Sequence, residues 1–311
     1  MKNSFYKKHL VDITHLNIED IRILFKRASE IKKIVELKGG DNRLQGKIMA
    51  TLFYEPSSRT FSSFVTAMQR LGGGIIPLFS MFNSSAVKGE TLEDTARVFS
   101  SYADLLVVRH PELGSVRQMA RYSSVPVVNA GDGIGDHPTQ GLTDLYTIQQ
   151  KFGDLNKLHV LFIGDLGHYR PVNSLSKLLS LYPQIRISFV SPKEVPIQDG
   201  LKKYLVSKKV KFIEANSFEN ILANVDVLYV TRVKKEYMTE SLYHKIKGSY
   251  VLTNIFANSM KNNSIIMHCL PRIDEISHDV DSNSRAVYFS QQVRNGMYVR
   301  MAILDMILRK N

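Results

Sequence analysis

The stretch Lys47-Ile-Met-Ala-Thr-Leu-Phe-Tyr-Glu-Pro-Ser-Ser-Arg-Thr60 decides the fold, because an apolar run ends there in three hydroxyls and a guanidinium. We predict a strand over residues 48–53. Apolar residues then recur at helical spacing from Phe61 to Leu71, and Gly72 supplies a stop signal. A strand that leads directly into a helix in this way is typical of a parallel α/β sheet.

The polar cluster Ser57, Ser58, Arg59 and Thr60 lies at the predicted start of this helix. The first N–H groups of a helix have no partner within it, and the helix dipole favours an anion at this end. Hydroxyls add directed donors, and a guanidinium can contact two phosphate oxygens at once. The cluster therefore predicts a phosphate-binding turn. The alternative interpretation is an ordinary Ser/Thr cap of the helix without any ligand.

Length and composition indicate a globular protein with two domains. The 311 residues suit two domains of about 150 residues each. Hydrophobic residues make up 44% of the chain and charged residues 23%. No stretch has the roughly 18 apolar residues of a spanning helix, the first residues lack the apolar core of a secretory signal, and Cys269 is the single cysteine. We therefore expect a cytoplasmic protein that has no membrane partner and no internal disulfide.

The net charge of +12 favours anionic partners. Binding of nucleic acid would require the cations to form a stripe or a known reading motif. They are scattered instead, and pairs such as Lys202-Lys203 lie among apolar residues at helical spacing. The charge therefore favours small substrates that carry phosphate or carboxylate groups, and we expect no nucleic-acid partner.

Two series of predicted strands alternate with helical stretches along the chain. Asn17 and Gly39-Gly40 bound a first helix over residues 17–38. The strands are predicted at residues 48–53, 74–79, 105–108 and 125–129, and then at 158–163, 185–190, 210–213, 227–230, 250–253 and 265–268. This order predicts an α/β fold with two doubly wound parallel-sheet domains of similar size, joined by crossover helices.

We place the first domain at residues 1–140 and the second at 141–290, with a helix near residues 140–153 between them. The last helical stretch, 291–311, is expected to pack back onto the first domain. No cofactor motif occurs in either domain: the segment after the strand at 158–163 lacks the G-x-G-x-x-G spacing, and residues 40–47 lack the first glycine of a P-loop. We therefore expect neither metal nor organic cofactor.

Further polar side chains follow predicted strands, where an open α/β sheet forms its ligand site. Arg109 ends one strand, and a glycine-rich loop delivers His137 and Gln140 just before a helix. Arg170 and Arg232 follow strands of the second series, and two guanidinium groups would match the two carboxylates of one ligand. Each of these side chains could instead be structural or form a surface ion pair.

These motifs occur, in one order and with shared spacing, in a single enzyme family. They are Phe53-Tyr-Glu-Pro-Ser-Ser-Arg-Thr60, Lys88-Gly-Glu-Thr91, Arg109-His-Pro111, Asn129-Ala-Gly-Asp-Gly133, His137-Pro-Thr-Gln140, Gly164-Asp-Leu166 with Arg170, Thr231-Arg-Val233 with Lys235-Glu236, His268 with Leu270-Pro-Arg272, and Tyr298-Val-Arg-Met301. On these residues the chain resembles, over essentially its whole length, the aspartate carbamoyltransferase catalytic chains of the aspartate/ornithine carbamoyltransferase family.

The resemblance implies transfer of the carbamoyl group from carbamoyl phosphate to the α-amino group of L-aspartate, an early step of pyrimidine synthesis. It implies that carbamoyl phosphate is bound by Ser57, Ser58, Arg59, Thr60, Ser84, Lys88, Arg109, His137, Gln140, Leu270 and Pro271. It implies that aspartate is bound by Lys88, Arg170, Arg232 and Lys234. The catalytic residues would be Arg59, Thr60, Lys88, Arg109 and His137.

Individual roles also follow from the resemblance. Gln140 and the carbonyls of Leu270 and Pro271 would orient the carbamoyl NH₂ group. Ser84 and Lys88 match residues that are donated across a subunit interface, so the resemblance implies a homotrimer with shared active sites. It leaves open whether trimers pair into larger assemblies with regulatory chains.

Some positions depart from the family pattern. Lys234 stands where Gln is usual, Tyr169 where Gly is usual, and Cys269 where Pro is usual. The string His-Cys-Leu-Pro is similar to ornithine carbamoyltransferase, so a different acceptor such as ornithine is the nearest alternative. Arg232 opposes it, because a cationic acceptor would meet positive charge there. An inactive regulatory homologue is the other alternative.

Overall fold

The computed structural model describes residues 3–80 and 84–310. The chain forms two compact units: unit 1 comprises Met1–Thr143 and Asn295–Asn311, and unit 2 comprises Asp144–Arg294. Each unit contains one parallel β-sheet with helices between its strands. The predicted α/β fold with two parallel sheets is confirmed. Within the described ranges, no helix is both long and apolar enough to cross a membrane.

The sheet of unit 1 has four parallel strands in the order β2-β1-β3-β4. They are β1 (Ile48–Phe53), β2 (Gly74–Leu78), β3 (Leu105–His110) and β4 (Val127–Asp132). Strands β1 and β3 are central and nearly continuously apolar, as expected for strands covered on both faces. Their register pairs Phe53 with Arg109, so the carboxyl ends of these two strands lie side by side.

The helices of the first part of the chain are α1 (Ile18–Lys38), α2 (Ser58–Arg70), α3 (Leu92–Ser100), α4 (Ser115–Tyr122) and α5 (Pro138–Phe152). The start signal at Asn17 and the stop signal at Gly39, which predicted α1, are both confirmed. Asn17 and Asp20 cap each other's backbone N–H groups, and Gly39 ends the helix with a left-handed φ of 84°.

The sheet of unit 2 has five parallel strands in the order β7-β6-β5-β8-β9. They are β5 (His159–Ile163), β6 (Arg186–Val190), β7 (Lys211–Ala215), β8 (Val227–Val230) and β9 (Ile265–Met267). The helices are α6 (Arg170–Leu179), α7 (Asp199–Ser207), α8 (Glu219–Leu222), α9 (Glu240–Ile246) and α10 (Asn254–Ser259). Loops that follow β5 and β8 are neighbours, because these two strands pair directly.

One predicted strand, at residues 250–253, is wrong. Leu252 forms only an isolated bridge to Ile276. Its N–H donates to Glu275 O at 2.9 Å and its carbonyl accepts from Ser277 at 2.9 Å, and α10 begins directly afterwards. The short apolar run at residues 250–253 is therefore buried against the loop around Ile276 and is not a strand of the sheet.

The last helix follows a π-helical turn at Tyr288–Gln292 and is α11 (Val293–Leu308). Its residues from Asn295 onward belong to unit 1. The N–H of Lys7 donates to Ile307 O at 3.0 Å, and Arg27 pairs with the buried Asp305 at 2.5 Å. These contacts tie the end of the chain to its beginning.

Candidate active site

The polar cluster of residues 57–60, here called the phosphate turn, joins β1 to α2. Ser57 is the N-cap residue of α2, with φ −161° and ψ 86°, yet its side chain makes no capping hydrogen bond in this described segment. The first turn contains no acidic residue. Thr60 is buried, whereas Ser58 and Arg59 are exposed. The hydroxyl of Ser57 is therefore not committed to the helix end, contrary to the interpretation of this cluster as an ordinary cap.

Arg109 lies on β3, beside the phosphate turn. Its carbonyl accepts the N–H of Tyr54 at 2.9 Å, just after β1 ends. Its guanidinium donates to Glu55 Oε1 at 2.9 Å and to Ala130 O at 3.2 Å. The guanidinium of Arg109 is therefore held next to Glu55, which precedes the phosphate turn by two residues.

His137 and Gln140 lie where β4 leads into α5. Gly133 turns the loop with φ 51°, and an added Cβ would lie 2.6 Å from the backbone nitrogen of Leu113, so only glycine fits there. His137 is buried and precedes the helix directly. Gln140 was expected before the helix, but it lies within the first turn of α5, where its N–H donates to His137 O at 3.0 Å. The loop therefore ends three residues earlier than predicted.

Ser84 and Lys88 bound a single 3-10 turn, Ser85–Lys88, in unit 1. The Ser84 hydroxyl accepts the N–H of Ala86 at 3.2 Å, and Lys88 is exposed. Gly89 ends the turn with a φ of 90°. The turn thus presents the Lys88 ammonium at the surface of its own subunit.

Three cations predicted to bind the acceptor lie in unit 2, one at the start of α6 and two on the loop that follows β8. Arg170 is the first residue of α6 and is buried. Arg232 and Lys234 follow β8, in a stretch of residues 232–237 that we call the acceptor segment. The buried carboxylate of Asp165 joins the loops that follow β5 and β8, because it accepts the N–H of His168 at 3.1 Å and the N–H of Lys234 at 3.2 Å.

Within the acceptor segment, Arg232 is paired with Glu236. Arg232 Nη1 donates to Glu236 Oε2 at 3.1 Å, and Nη2 donates to Oε1 of the same carboxylate. Burial is the largest single influence and works to lower the pKa of Arg232, but the hydrogen bond to Glu236 and the surrounding charge interactions together outweigh it, so the pKa is raised. For Glu236 burial works to raise the pKa, but the hydrogen bonds that it accepts and the charges of Arg232 and Lys234 together outweigh burial and lower the pKa. Both side chains therefore keep their charges near neutral pH.

Arg232 also carries a buried donor. Among the described residues, its Nε has no hydrogen-bond partner. A buried N–H without an acceptor is unfavourable, so a ligand oxygen at this position would stabilise the segment.

Sequence analysis did not find Tyr237, Asp165 or their contacts to the predicted cations. Tyr237 accepts a hydrogen bond from Arg170 Nη2 at 3.2 Å, and Lys234 Nζ lies 4.7 Å from the centroid of its ring. The ring of Tyr169 lies on Lys234 as well, at 5.4 Å. The sequence offered two signals, the unusual Tyr169 next to Arg170 and Asp165 within the motif Gly164-Asp-Leu166, but neither predicted these contacts.

Leu270 and Pro271 lie in a loop of unit 2 after β9, joined by a cis peptide bond. The N–H of Leu270 donates to His268 Nδ1 at 2.8 Å, and His268 Nε2 lies 2.7 Å from Glu275 Oε1. Nδ1 is thus an acceptor, so Nε2 carries the ring proton and faces the Glu275 carboxylate. The imidazole is buried, and it fixes the backbone next to the two carbonyls.

The predicted residues divide between the two units. Unit 1 contains Ser57, Ser58, Arg59, Thr60, Ser84, Lys88, Arg109, His137 and Gln140, and unit 2 contains Arg170, Arg232, Lys234, Leu270 and Pro271. Within residues 3–80 and 84–310, no group of three or more His, Cys, Asp or Glu side chains is arranged to hold a metal ion. Unit 1 therefore concentrates donors suited to phosphate, and unit 2 concentrates cations suited to carboxylates.

Two family models match the chain. The carbamoyl-phosphate-binding domain of aspartate/ornithine carbamoyltransferases matches residues 8–150. The aspartate/ornithine-binding domain of the same enzymes matches residues 156–307.

Curated relatives span nearly the whole chain. The aspartate carbamoyltransferase catalytic subunit of Methanocaldococcus jannaschii is 44% identical over 98% of this chain and 99% of its own length. That of Picrophilus torridus is 46% identical over 96% of this chain and 97% of its own length. Multifunctional protein pyr1-3 of Dictyostelium discoideum is 43% identical over 98% of this chain, which spans only 14% of that protein.

Solved structures show the same fold. Aspartate transcarbamoylase from Trypanosoma cruzi, in complex with N-(phosphonacetyl)-L-aspartic acid, is 37% identical and has a TM-score of 0.93, with 99% of this chain and 98% of that chain covered. The catalytic subunit of M. jannaschii aspartate transcarbamoylase is 44% identical and has a TM-score of 0.88, with 96% and 97% covered. The chain therefore belongs to the aspartate/ornithine carbamoyltransferase family, and within that family it falls among the aspartate carbamoyltransferases.

Proposed function

We propose that the chain transfers the carbamoyl group of carbamoyl phosphate to the α-amino group of L-aspartate, giving N-carbamoyl-L-aspartate and phosphate for pyrimidine synthesis. The observation that carries the proposal is the phosphate turn: an uncapped helix N-terminus with three hydroxyls, next to Arg109 on the paired strand. A T. cruzi relative of the same fold has been solved with carbamoyl phosphate and aspartate bound, which supports both substrates.

The phosphate group is bound by Ser57, Ser58, Arg59 and Thr60, with Arg109 beside them. Backbone N–H groups at the start of α2 donate to its oxygens, and the helix dipole favours its negative charge. Arg59 is exposed at the first turn and contributes a second guanidinium. These donors compensate the charge of the leaving phosphate before and after the reaction.

The carbamoyl carbon is the centre of the chemistry. The amine nitrogen of aspartate forms a bond to this carbon, the bond from carbon to the phosphate oxygen breaks, and the phosphate takes up a proton from the amine. Negative charge that develops on the carbonyl oxygen is stabilised by Thr60, Arg109 and His137. Gln140, with the carbonyls of Leu270 and Pro271, orients the NH₂ group. No covalent enzyme intermediate is required, because alignment of two bound reactants lowers the barrier.

The acceptor is bound by Arg170, Arg232 and Lys234, with Lys88 between phosphate and acceptor. Two guanidinium groups match the two carboxylates of aspartate, and the buried Nε of Arg232 lacks a partner among the described residues. The amine must be unprotonated when it attacks, and a cation such as Lys234 near it disfavours its protonated form. Ornithine lacks the second carboxylate and carries an additional positive charge, so it is disfavoured at this cluster.

The assembly is part of the proposal. We infer a cytoplasmic homotrimer in which Ser84 and Lys88 of one subunit complete the site of the next. Mixing an inactive Lys88→Ala variant with an inactive Arg109→Ala variant tests this directly. Shared sites predict that activity returns when the subunits are exchanged, since some sites then receive neither substitution. A sustained lack of activity in hybrids verified by mass spectrometry would contradict shared sites.

Product formation tests the reaction itself. The purified chain is incubated with carbamoyl phosphate and either L-aspartate or L-ornithine, and the ureido product is measured colorimetrically. We expect carbamoyl aspartate to form in proportion to enzyme, and no product above background with ornithine. Absence of product at any aspartate concentration would favour an inactive homologue, and a preference for ornithine would overturn the acceptor assignment.

A further inference from the structure

Two tyrosines of unit 2 contact the cations of the acceptor site, and neither has a role assigned so far. Tyr169 precedes α6, and Tyr237 ends the acceptor segment. They lie on the loops that follow the paired strands β5 and β8, 68 positions apart in sequence. Their contacts converge on Lys234 and Arg170.

Lys234 is bound by the faces of both rings. Its Nζ lies 4.7 Å from the centroid of Tyr237 and 5.4 Å from the centroid of Tyr169. An ammonium within about 6 Å of an aromatic face is attracted by the negative potential of the ring. Two faces around one ammonium restrict the motion of a long side chain. The ring contacts therefore help to fix the position of Lys234, and a neutral ring does not cancel its charge.

Tyr237 also holds the second cation. Its hydroxyl oxygen accepts a hydrogen bond from Arg170 Nη2 at 3.2 Å. One side chain thus contacts Lys234 through its face and Arg170 through its hydroxyl. Because both partners are positive, a neutral group with a negative face and an acceptor oxygen can hold them close together where a bare apolar side chain could not.

Both rings are themselves fixed in place. The ring of His168 stacks on Tyr237 at 5.7 Å with an interplanar angle of 15°, and its Nδ1 lies 3.1 Å from the buried Asp165 carboxylate. Tyr169 is buried, and its hydroxyl accepts a weak hydrogen bond from Cys269 Sγ at 3.4 Å. Burial raises the pKa of both the Tyr169 phenol and the Cys269 thiol, so both groups stay neutral near pH 7.

We propose that Tyr237 and Tyr169 are positioning residues that hold Lys234 and Arg170 in place for the carboxylates of the acceptor. The inference rests on the proposed function and adds to it. Lys234 is one of the residues that the proposed function assigns to aspartate, and the two tyrosines hold its charge in place for a dianionic acceptor. Acceptor affinity, rather than the chemical step, is the property that they control.

Steady-state kinetics of the full chain test the inference. Tyr237→Leu removes both contacts, and we expect the KM for aspartate to rise about tenfold while kcat and the KM for carbamoyl phosphate change less than about twofold. Tyr237→Phe keeps the ring face and loses only the bond to Arg170, so we expect a rise of about threefold. Inhibition by succinate, a dicarboxylate without the amine, is expected to weaken in parallel, whereas inhibition by inorganic phosphate is not.

Tyr243 provides a matched control. Its ring also lies on two lysines, with Lys235 Nζ at 5.4 Å and Lys247 Nζ at 5.8 Å. Lys235 lies in the acceptor segment, but neither lysine is among the residues predicted to bind aspartate. Tyr243→Leu is expected to leave the KM for aspartate unchanged. Equal changes in Tyr237→Leu and Tyr243→Leu, or a parallel rise in both substrate KM values, would overturn the inference. An inactive wild-type chain would instead contradict the proposed function, so the two failures are distinguishable.

Discussion

The phosphate turn and the acceptor segment both follow β-strands of parallel sheets, but they are prepared for ligands in different ways. In the phosphate turn, Ser57 occupies the N-cap position and leaves its hydroxyl out of the cap. In the acceptor segment, Arg232 is paired with Glu236 and Lys234 is enclosed by two rings. A helix N-terminus supplies fixed donors through its backbone, whereas long cationic side chains require partners that restrict them. The backbone thus organises one site, and side-chain pairs organise the other.

The largest expected effect concerns Arg109, the cation that adjoins the phosphate turn. Arg109→Met removes a donor to the phosphate and to the developing oxyanion, so we expect kcat/KM for carbamoyl phosphate to fall about a thousandfold. This fall is measured from initial rates at varied concentrations of carbamoyl phosphate. Arg97→Met is the control, because Arg97 forms an exposed pair with Glu93 on α3, and it should leave the rates unchanged. A fall of less than about tenfold would show that the turn does not depend on this strand-end cation.

In unit 2, the corresponding substitution is Arg232→Met. The loss of a guanidinium that contacts a carboxylate should raise the KM for aspartate about a hundredfold. The KM for carbamoyl phosphate should stay within about twofold, because the phosphate donors belong to unit 1. Lys202→Met, which removes a partly exposed pair with Glu214, is the control. A similar rise in both KM values would contradict the assignment of phosphate binding to unit 1 and carboxylate binding to unit 2.

Glu275 tests whether internal pairing also stabilises unit 2. Glu275→Gln weakens the buried contact to His268 and should lower the free energy of unfolding by about 2 kcal/mol at pH 7, measured by urea denaturation. Burial works to raise the pKa of Glu275, but the interaction with His268 and the backbone N–H groups that donate to the carboxylate together outweigh burial, so the folded-state pKa is lowered. The contribution is therefore present above the unfolded value of 4.5 and is lost as pH falls through the lower folded value. A difference between wild type and variant that persists at lower pH would contradict this assignment.

The smallest expected effect separates ligand binding from helix capping in the phosphate turn. Ser57→Ala should change the free energy of unfolding by less than about 0.5 kcal/mol, because the Ser57 side chain makes no capping bond. The KM for carbamoyl phosphate should still rise about tenfold. Thr91 is the matched control, because its hydroxyl accepts the N–H of Asp94 at 3.0 Å at the start of α3. Thr91→Ala should lose about 1 kcal/mol of stability, and the opposite pattern would assign Ser57 to the helix end.

Much of the fold followed from the sequence, since nine of the ten predicted strands lie at or near observed strands. Buried parallel strands are continuous apolar runs, and such runs can be recognised in the local sequence. Residues 250–253 have the same composition but pair only with a loop at Ile276. A four-residue apolar run does not specify whether a sheet or a loop buries it. The sequence therefore could not distinguish a strand from a buried loop at these residues.

The site was predictable to the extent that it depends on local sequence. The phosphate turn and Arg232 could be recognised because they follow apolar runs directly. Tyr237 could not, since its contact to Arg170 joins residues 67 positions apart and exists because β5 pairs with β8. The capping state of Ser57 was likewise undetermined, because a serine before a helix has the same sequence pattern whether its hydroxyl binds the backbone or remains available.

A crystal structure of the chain with N-(phosphonacetyl)-L-aspartic acid tests the central claim most directly, because this compound carries a phosphonate and both aspartate carboxylates. We predict that the phosphonate oxygens accept hydrogen bonds from the N–H groups and hydroxyls of the phosphate turn. We also predict that the two carboxylates contact the guanidinium groups of Arg170 and Arg232. A phosphonate bound away from residues 57–60, or carboxylates that contact neither guanidinium, would contradict the account.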